Sequence, residues 1–296
     1  MSIGHRNLNK FLFFYFFIFF IFIYSLQFWL RFKGDLLKLA IAGKGGVGKT
    51  TLAGILARLF GRDGYSVIAI DADPDMNLAS SIGIKEDPTP IIGLKKLIEE
   101  RAGLKGGIYN LNPKVDDIVD EYGAEGPDNV KLLVMGAVKK GGTGCYCPES
   151  AFLRALMRHM IIKRKEVLIM DMEAGIEHLG RGTAQNVDLM LVVVEPGRRS
   201  IETAERVKSL SHDVGIKDVF AVGNKISHPE EEKFIEKGLS DVGIPLLGKI
   251  PFDPMLMKSD MEGESLLDAY PDSEIVKVID KVRGRLINEG GSDRAG

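Results

Sequence analysis

The sequence predicts an α/β fold in which a mostly parallel central sheet carries helices on both faces. Three observations favour this class. Short apolar segments alternate with segments of helical apolar spacing from Leu37 onward, the first apolar segment leads into a glycine-rich loop, and two later ones end in aspartate. Such alternation is typical of a parallel sheet wrapped by helices, and residues 37–289 are long enough for one domain of this kind.

Seven strands and at least six helices are expected in this domain. The segment 188–194 is wholly apolar after its first residue, as expected of a strand buried on both faces of a parallel sheet. Residues 104–128 are rich in Gly, Asp and Pro and are expected to form an irregular insertion. The expected strands are 37–42, 65–71, 130–136, 166–171, 188–194, 218–223 and 246–249, and the expected helices are 49–61, 91–102, 149–163, 200–214, 229–240 and 272–288.

The first 36 residues differ in composition from the rest of the chain. Residues 11–30 are an almost unbroken apolar run of the length that crosses a bilayer, so one interpretation of residues 1–36 is a membrane anchor. The alternative is a misassigned start, because an AU-rich leader encodes Phe- and Ile-rich runs, and translation would then begin at Leu37. At the other end, residues 290–296 are expected to be a disordered tail.

The charge balance argues against a nucleic-acid partner. The formal net charge is −2, and the first 36 residues carry four basic residues and one acidic residue, which leaves 35 basic and 40 acidic residues in the body. An acidic body repels a phosphate backbone. The two cysteines, Cys145 and Cys147, are too close together to staple a fold. A cytoplasmic protein is therefore expected, tethered to the inner face of the membrane only if residues 11–30 are genuinely translated.

The glycine-rich loop has the sequence Gly-Lys-Gly-Gly-Val-Gly-Lys-Thr-Thr and fits the phosphate-binding pattern G-x-x-x-x-G-K-[ST]. A predicted strand precedes it and a predicted helix follows, so backbone N–H groups and the positive helix end would face a phosphate. Lys49 is expected to reach the β- and γ-phosphates and Thr50 to ligate Mg²⁺. The amide of Asn224, at the end of a later strand, can read a purine edge. The predicted ATP-binding residues are Gly43, Lys44, Gly45, Gly46, Val47, Gly48, Lys49, Thr50, Thr51 and Asn224.

Two acids complete the predicted ATPase site. Asp73 follows the strand 65–71, and Asp171 ends the strand 166–171. Carboxylates at the carboxyl ends of strands beside the phosphate loop lie where Mg²⁺ and an attacking water would be held. Asp171 is expected to hold Mg²⁺ together with Thr50. A strand-terminal Asp is often only a loop or cap residue, but loop and acids in this order predict nucleotide binding and hydrolysis.

Lys44 is not required by the general pattern and lies on the wrong side of the loop to duplicate Lys49. The stretch 44–51 resembles the deviant Walker A motif of the MinD/ParA/nitrogenase-iron-protein class, within the SIMIBI class of P-loop nucleoside triphosphatases. In that class the corresponding lysine crosses a two-fold interface and touches the nucleotide phosphates of the other subunit, as an arginine finger does. The resemblance therefore implies an ATP-bridged homodimer in which Lys44 is catalytic.

Cys145 and Cys147 lie between a predicted strand and a predicted helix. In an extended C-x-C segment both sulfurs point the same way, and two thiolates suit Zn²⁺, Ni²⁺ or an iron–sulfur cluster. Because Zn²⁺ normally takes four ligands, a symmetric dimer would supply the other two if the pair lies near its axis. The alternative is a chance pair in a tolerant Gly-rich loop.

Three stretches, 144–150, 170–182 and 194–200, resemble the CooC family of accessory ATPases for nickel insertion into carbon monoxide dehydrogenase. The resemblance covers about residues 37–288. It implies that Cys145 and Cys147 of each subunit bind Ni²⁺ or Zn²⁺ at the dimer interface, that ATP controls dimerisation, and that the carbon monoxide dehydrogenase apoenzyme is the client. It also implies that Asp73 lies near the attacking water.

Two other functions are compatible with the same class of fold. A MinD/ParA-like positioning ATPase would cycle on membranes through a terminal amphipathic helix, and the segment 273–286 is only mildly amphipathic. An iron–sulfur scaffold ATPase would use the same two cysteines. The interpretation we favour is an ATP-hydrolysing homodimeric metallochaperone that binds Ni²⁺ or Zn²⁺.

Overall fold

An eight-stranded sheet runs through the part of the protein that the computed structural model describes, residues 37–103, 110–136, 148–164, 166–173 and 181–289. Its strands in chain order are β1 (Lys38–Gly43), β2 (Val67–Asp71), β3 (Ala124–Glu125), β4 (Val130–Val134), β5 (Val167–Asp171), β6 (Leu189–Val194), β7 (Asp218–Ile226) and β8 (Leu246–Pro251). Across the sheet the order is β3-β4-β2-β5-β1-β6-β7-β8. Every neighbouring pair is parallel except β3 with β4, which confirms the predicted class.

Helices connect the parallel strands, because a crossover between parallel strands needs a connection of about a dozen residues or more. The helices are α1 (Lys49–Arg62), α2 (Leu78–Ile82), α3 (Lys95–Ala102), α4 (Ile118–Tyr122), α5 (Pro148–Lys163), α6 (Arg181–Ala184), α7 (Arg198–Val214), α8 (Pro229–Asp241), α9 (Pro254–Glu262), α10 (Leu266–Ala269) and α11 (Glu274–Glu289), and a 3₁₀ turn spans Ile91–Gly93.

The central strands are buried on both faces, which explains their continuous apolar sequences. Every residue of β1, β2, β5 and β6 is buried. On one face of the sheet, Ala40 and Ala42 of β1 join a core cluster that contains Phe152 of α5 and Val207 of α7. Leu39 of β1 is also fully buried, on the opposite face. Burial of a side chain of this size contributes about 1.5–3 kcal/mol, so layers of helix on both faces stabilise this strand pattern.

All seven expected strands are present, with bounds that differ by one to three residues. The two-residue strand β3 and the one-turn helix α4 lie inside the segment that the sequence analysis treated as irregular. The short helices α2, α6, α9 and α10 were also not predicted. Elements of four to nine residues carry too few apolar positions for a clear periodicity. A local signal did exist for α9, because Asp253 accepts a hydrogen bond from the backbone N–H of Met255 and Pro254 occupies the first helical position.

Arg58 ties the helix after the glycine-rich loop to α10. Its side chain is only 3% exposed, and it donates two hydrogen bonds to the carboxylate of Asp268, at 2.6 and 2.7 Å. Its Nε donates to Asp128 at 2.7 Å, and one terminal nitrogen also donates to the Oγ of Ser265 at 2.8 Å. A buried guanidinium is tolerated when its donors are satisfied in this way.

The expected N-terminal extension (1–36) and C-terminal tail (290–296) lie outside the described residues, and their assignments stay predictions. Among the helices that the structure does describe, none has the length and apolar character needed to cross a membrane.

Candidate active site

The glycine-rich loop leaves the carboxyl end of β1 and closes against the neighbouring strand β6. Gly43 has φ +151°, and a Cβ there would lie 2.5 Å from the carbonyl oxygen of Val193, so a larger residue would push the strands apart. Gly48 has φ +97°, and a Cβ there would lie 2.4 Å from the Nδ2 of Asn224. Both glycines are therefore required by conformation and by space. The loop leads into the N-terminus of α1, so its backbone N–H groups and the positive end of the helix can bind the same phosphate.

Thr50 and Asp171 lie together, as predicted for a magnesium site. The Thr50 hydroxyl, in the first turn of α1, donates to Asp171 Oδ2 at 2.6 Å. The other carboxylate oxygen, Oδ1, is buried and has no hydrogen-bond partner among the described residues. A buried unpaired carboxylate oxygen is costly unless a cation or water satisfies it. The hydroxyl and the carboxylate are hard oxygen ligands, so this pair fits Mg²⁺, which Thr50 and Asp171 would hold.

Asp71 and Asp171 form a buried acidic pair. They are register partners on β2 and β5, and neither is exposed to solvent. Burial raises the pKa of Asp171 from 3.8 to about 7; the Thr50 hydrogen bond opposes this rise and the charge of Asp71 adds to it. Burial also raises the pKa of Asp71 to about 6, against hydrogen bonds from the backbone N–H groups of Leu78 and Asp73. A bound divalent cation would restore the ionised form of Asp171.

Lys49 and Asp73 lie on either side of the space where phosphates would bind. Lys49 is 5% exposed, and its Nζ is 3.5 Å from the carbonyl oxygen of Lys44, which leaves its ammonium available to phosphate oxygens. Asp73 is partly exposed and accepts a hydrogen bond from the backbone N–H of Asp75 at 3.0 Å. Asp73 and the glycine-rich loop line the same cavity of about 620 Å³. Its position is compatible with the predicted role near an attacking water.

The far wall of this cavity was not predicted. It is formed by the end of α9 and the turn into α10, including Ser259, Asp260 and Ser265. No motif marks this segment, since it is remote in the chain from the glycine-rich loop and its helices are short. The signal available was the helix cap at Asp253, which predicts that a helix follows β8.

Asn224 braces the glycine-rich loop from β7. It is 8% exposed, its Nδ2 donates to the carbonyl oxygen of Val47 at 2.7 Å, and its Oδ1 accepts from the backbone N–H of Lys225 at 2.9 Å. Among the bonds of the described residues, one amide hydrogen and one carbonyl lone pair of Asn224 are left over. Contact between Asn224 and a purine stays a prediction, and its visible role is to hold the loop.

Lys44 pairs with a residue of its own chain. Its Nζ lies 2.9 Å from Glu195 Oε1, just beyond the end of β6. Lys225 approaches the other oxygen of Glu195 at 3.8 Å, and it also donates to the carbonyl oxygen of Gly46. Glu195 lies within the family-like stretch 194–200, but no role was predicted for it from the sequence. The sequence signal that could have identified Glu195 is an acidic residue just after β6, since β6 lies beside β1 and β1 leads into the loop.

Cys145 and Cys147 lie outside the described residues, so their predicted metal site stays a prediction. Within the described ranges, no group of three or more His, Cys, Asp and Glu side chains is placed to hold a metal ion.

The loop, the buried acids and the cavity define a P-loop ATPase. Residues 38–267 match the family described as CobQ/CobB/MinD/ParA nucleotide binding domain, and the chain belongs to this family. It is 45% identical over 251 residues to an uncharacterized ATP-binding protein of Methanocaldococcus jannaschii, with 83% of this chain and 97% of the relative covered. It is also 45% identical over 242 residues to the carbon monoxide dehydrogenase accessory protein CooC of Rhodospirillum rubrum, with 79% and 91% covered. This confirms the resemblance predicted from the sequence.

A solved structure supports the fold independently. A chain of the MinC:MinD cell division protein complex of Aquifex aeolicus superposes with a TM-score of 0.64 at 20% identity, over 86% of this chain and 96% of that one. At this level of identity the likeness concerns the fold alone.

Proposed function

We propose that this protein is an ATP-driven homodimeric metallochaperone that assists nickel insertion into carbon monoxide dehydrogenase. The observation that carries the proposal is the 45% identity to a carbon monoxide dehydrogenase accessory protein over 91% of that protein's length. The C-x-C pair and the additional lysine of the glycine-rich loop support it, because a plain P-loop ATPase needs neither.

In the proposed cycle, ATP and Mg²⁺ bind to each subunit, and Lys44 of each reaches the nucleotide of the other. Dimerisation brings two copies of Cys145 and Cys147 together, and four thiolates bind one Ni²⁺ or Zn²⁺. Hydrolysis removes the γ-phosphate, loosens the dimer and releases the metal to the client. Thiolate ligands must lose protons to bind metal, so the proposal includes weaker metal binding at low pH.

The test measures mass and metal content of the full chain under the same conditions, with and without a non-hydrolysable ATP analogue. The expected result is a dimer with one bound Ni²⁺ or Zn²⁺ in the presence of the analogue. The variant Cys145→Ser/Cys147→Ser is expected to lose stoichiometric metal binding while it still binds the nucleotide. Metal binding that survives this double substitution would refute the proposed site.

Two further measurements separate the alternative functions. A brown protein with iron and sulfide after anaerobic purification would indicate an iron–sulfur scaffold. Nucleotide-dependent sedimentation with lipid vesicles, without metal binding, would indicate a positioning ATPase.

A further inference from the structure

We propose that Glu195 is a positioning residue that holds Lys44 over its own glycine-rich loop in the separate subunit. When the ATP-bound dimer forms, Lys44 exchanges this carboxylate for the phosphates of the opposite nucleotide. The inference rests on the proposed function, because it needs Lys44 to cross a dimer interface.

Strand pairing places Glu195 beside the loop. β1 and β6 are parallel neighbours, and Gly43 is the register partner of Val193 at their carboxyl ends. Lys44 comes one residue after Gly43, just past the end of β1, and Glu195 comes two residues after Val193, just past the end of β6, so the two side chains meet where the strands end. The backbone N–H of Glu195 donates to the Oγ of Ser200 at 3.0 Å, and Ser200 is buried in the first turn of α7. This anchor fixes the backbone from which the carboxylate reaches Lys44.

The charge of Glu195 is unusual for its location. The loop beside it is built to attract anions, and a carboxylate there repels a nucleotide phosphate. Two ammonium groups compensate: Lys44 at 2.9 Å from one oxygen and Lys225 at 3.8 Å from the other. A second bond from Lys225 to the carbonyl oxygen of Gly46 holds that lysine on the loop. Among the described residues, Glu195 is therefore the one partner of the Lys44 side chain, whereas Lys225 is also held by the loop.

The contact is weak enough to be exchanged. The side chains of Lys44 and Glu195 are 42% and 25% exposed, so solvent screens the pair. Ion pairs of this exposure change an equilibrium by about 2- to 5-fold. A nucleotide triphosphate offers Lys44 more negative charge than one carboxylate does, and a symmetric dimer breaks two pairs. Removal of the Glu195 charge is therefore expected to favour the dimer.

The test compares the dimer dissociation constant of the full-length wild type and of Glu195→Gln, with Mg²⁺ and a non-hydrolysable ATP analogue, by analytical ultracentrifugation. Because two pairs are released per dimer, Glu195→Gln is expected to dimerise about 4- to 25-fold more tightly. Glu195→Asp, which keeps the charge, is expected to return towards the wild-type value. The matched control is Glu232→Gln on α8, which removes a surface ion pair with Lys249 of β8 and is expected to leave the dissociation constant unchanged.

A double substitution separates positioning from a merely structural role. In a Lys44→Ala background, which is expected to stay as single subunits, Glu195→Gln is expected not to restore the dimer. A dimer there would show that the Glu195 charge opposes association without acting through Lys44, and would overturn the inference. Equal or weaker dimerisation of Glu195→Gln than of the wild type would overturn the inference and leave the proposed function intact. Loss of nucleotide binding by single subunits of Glu195→Gln would also overturn the inference, because Glu195 would then be needed for the shape of the loop. A wild type that does not dimerise with the analogue would overturn both.

Discussion

Asp171 occupies the most constrained position among the described residues of the site. It is fully buried, lies in register with Asp71, and has one oxygen that no described residue contacts with a hydrogen bond. Replacement by Asn keeps the shape and the acceptor towards Thr50 but removes the charge that holds Mg²⁺. We expect Asp171→Asn to lower Mg²⁺-dependent ATPase activity about 10- to 100-fold, as changes around a metal site do. The measurement is the steady-state rate as a function of Mg²⁺ concentration.

The control for this substitution is Asp241→Asn, at the exposed end of α8, which is expected to leave the ATPase rate unchanged. The folded state of Asp171→Asn is expected to be at least as stable as the wild type without nucleotide, because the variant has lost a buried charge beside another acid. A variant that is unstable and inactive would contradict a role confined to Mg²⁺.

The same two acids predict an unusual dependence of stability on pH in the absence of Mg²⁺ and nucleotide. Their pKa values are raised on folding, to about 6 for Asp71 and about 7 for Asp171, so the folded protein binds more protons than the unfolded chain. The resulting stabilisation is fully present below pH ~4 and is lost as pH rises through 6 and 7, by an amount on the order of 3–4 kcal/mol for each acid. Asp171→Asn has no carboxyl group to ionise at this position, so it loses less stability as pH rises. Its stability relative to the wild type should therefore rise as pH rises through 6 and 7.

Urea unfolding from pH 4 to pH 8 measures this difference. Asp117→Asn provides a control of opposite sign. The bond to Arg101 lowers the pKa of Asp117, so its stabilisation is present above the unfolded pKa and is lost as pH falls. The stability of that variant relative to the wild type should therefore fall as pH rises through the acid range. Parallel pH profiles for the wild type and Asp171→Asn would contradict the buried acidic pair.

At the scale of elements, Arg58 connects the site to a wall that is remote in sequence. It holds the carboxylate of Asp268 and the Oγ of Ser265, and the backbone around Ser265 lines the nucleotide cavity. Arg58→Met leaves Asp268 and Asp128 without their buried partner, which is expected to cost about 3 kcal/mol in the free energy of unfolding. Release of α10 should also raise KM for ATP more than it changes kcat.

Denaturant unfolding and steady-state kinetics check both parts of this prediction. Arg62→Met is the matched control, because Arg62 lies one turn away on α1, is 40% exposed and makes a single bond to Asp128 at 3.0 Å. Its expected cost is below about 1 kcal/mol. Equal costs for the two arginines would show that the tether to α10 contributes nothing.

Long apolar strands and motif-bearing loops were predictable, and short or remote elements were not. β1 and β6 carry continuous apolar sequence, and Thr50 and Asp171 lie at strand and helix ends where the phosphate-binding pattern places them. In contrast, α9 and α10 reach the cavity only through tertiary packing, which periodicity does not encode. The pairing of Lys44 with Glu195 depends on β1 lying beside β6, and strand order is not readable from one segment.

At the scale of the whole molecule, the described site residues gather at one edge of the sheet. The loop, Asp73, Asp171 and Glu195 follow or end parallel strands, Asn224 lies two residues before the end of β7, and the carboxyl ends of these strands share one edge. An interface across this edge would therefore bring the nucleotide, Lys44 and Glu195 together when the two subunits associate. In the proposed dimer, this arrangement would give ATP a physical route to control how the two subunits meet.

The proposed coupling of ATP to metal makes a reciprocal prediction. If ATP closes the dimer that completes the metal site, the factor by which an ATP analogue tightens Ni²⁺ or Zn²⁺ binding must equal the factor by which the metal tightens analogue binding. Typical coupling factors are about 5- to 150-fold. Lys44→Ala is expected to bind the analogue as single subunits and to reduce both factors to about one, because without the crossing lysine neither ligand stabilises the dimer. Titration calorimetry of each ligand with and without the other, on the wild type and this variant, measures all four constants. Retained coupling in Lys44→Ala would place the link between ATP and metal somewhere other than this lysine.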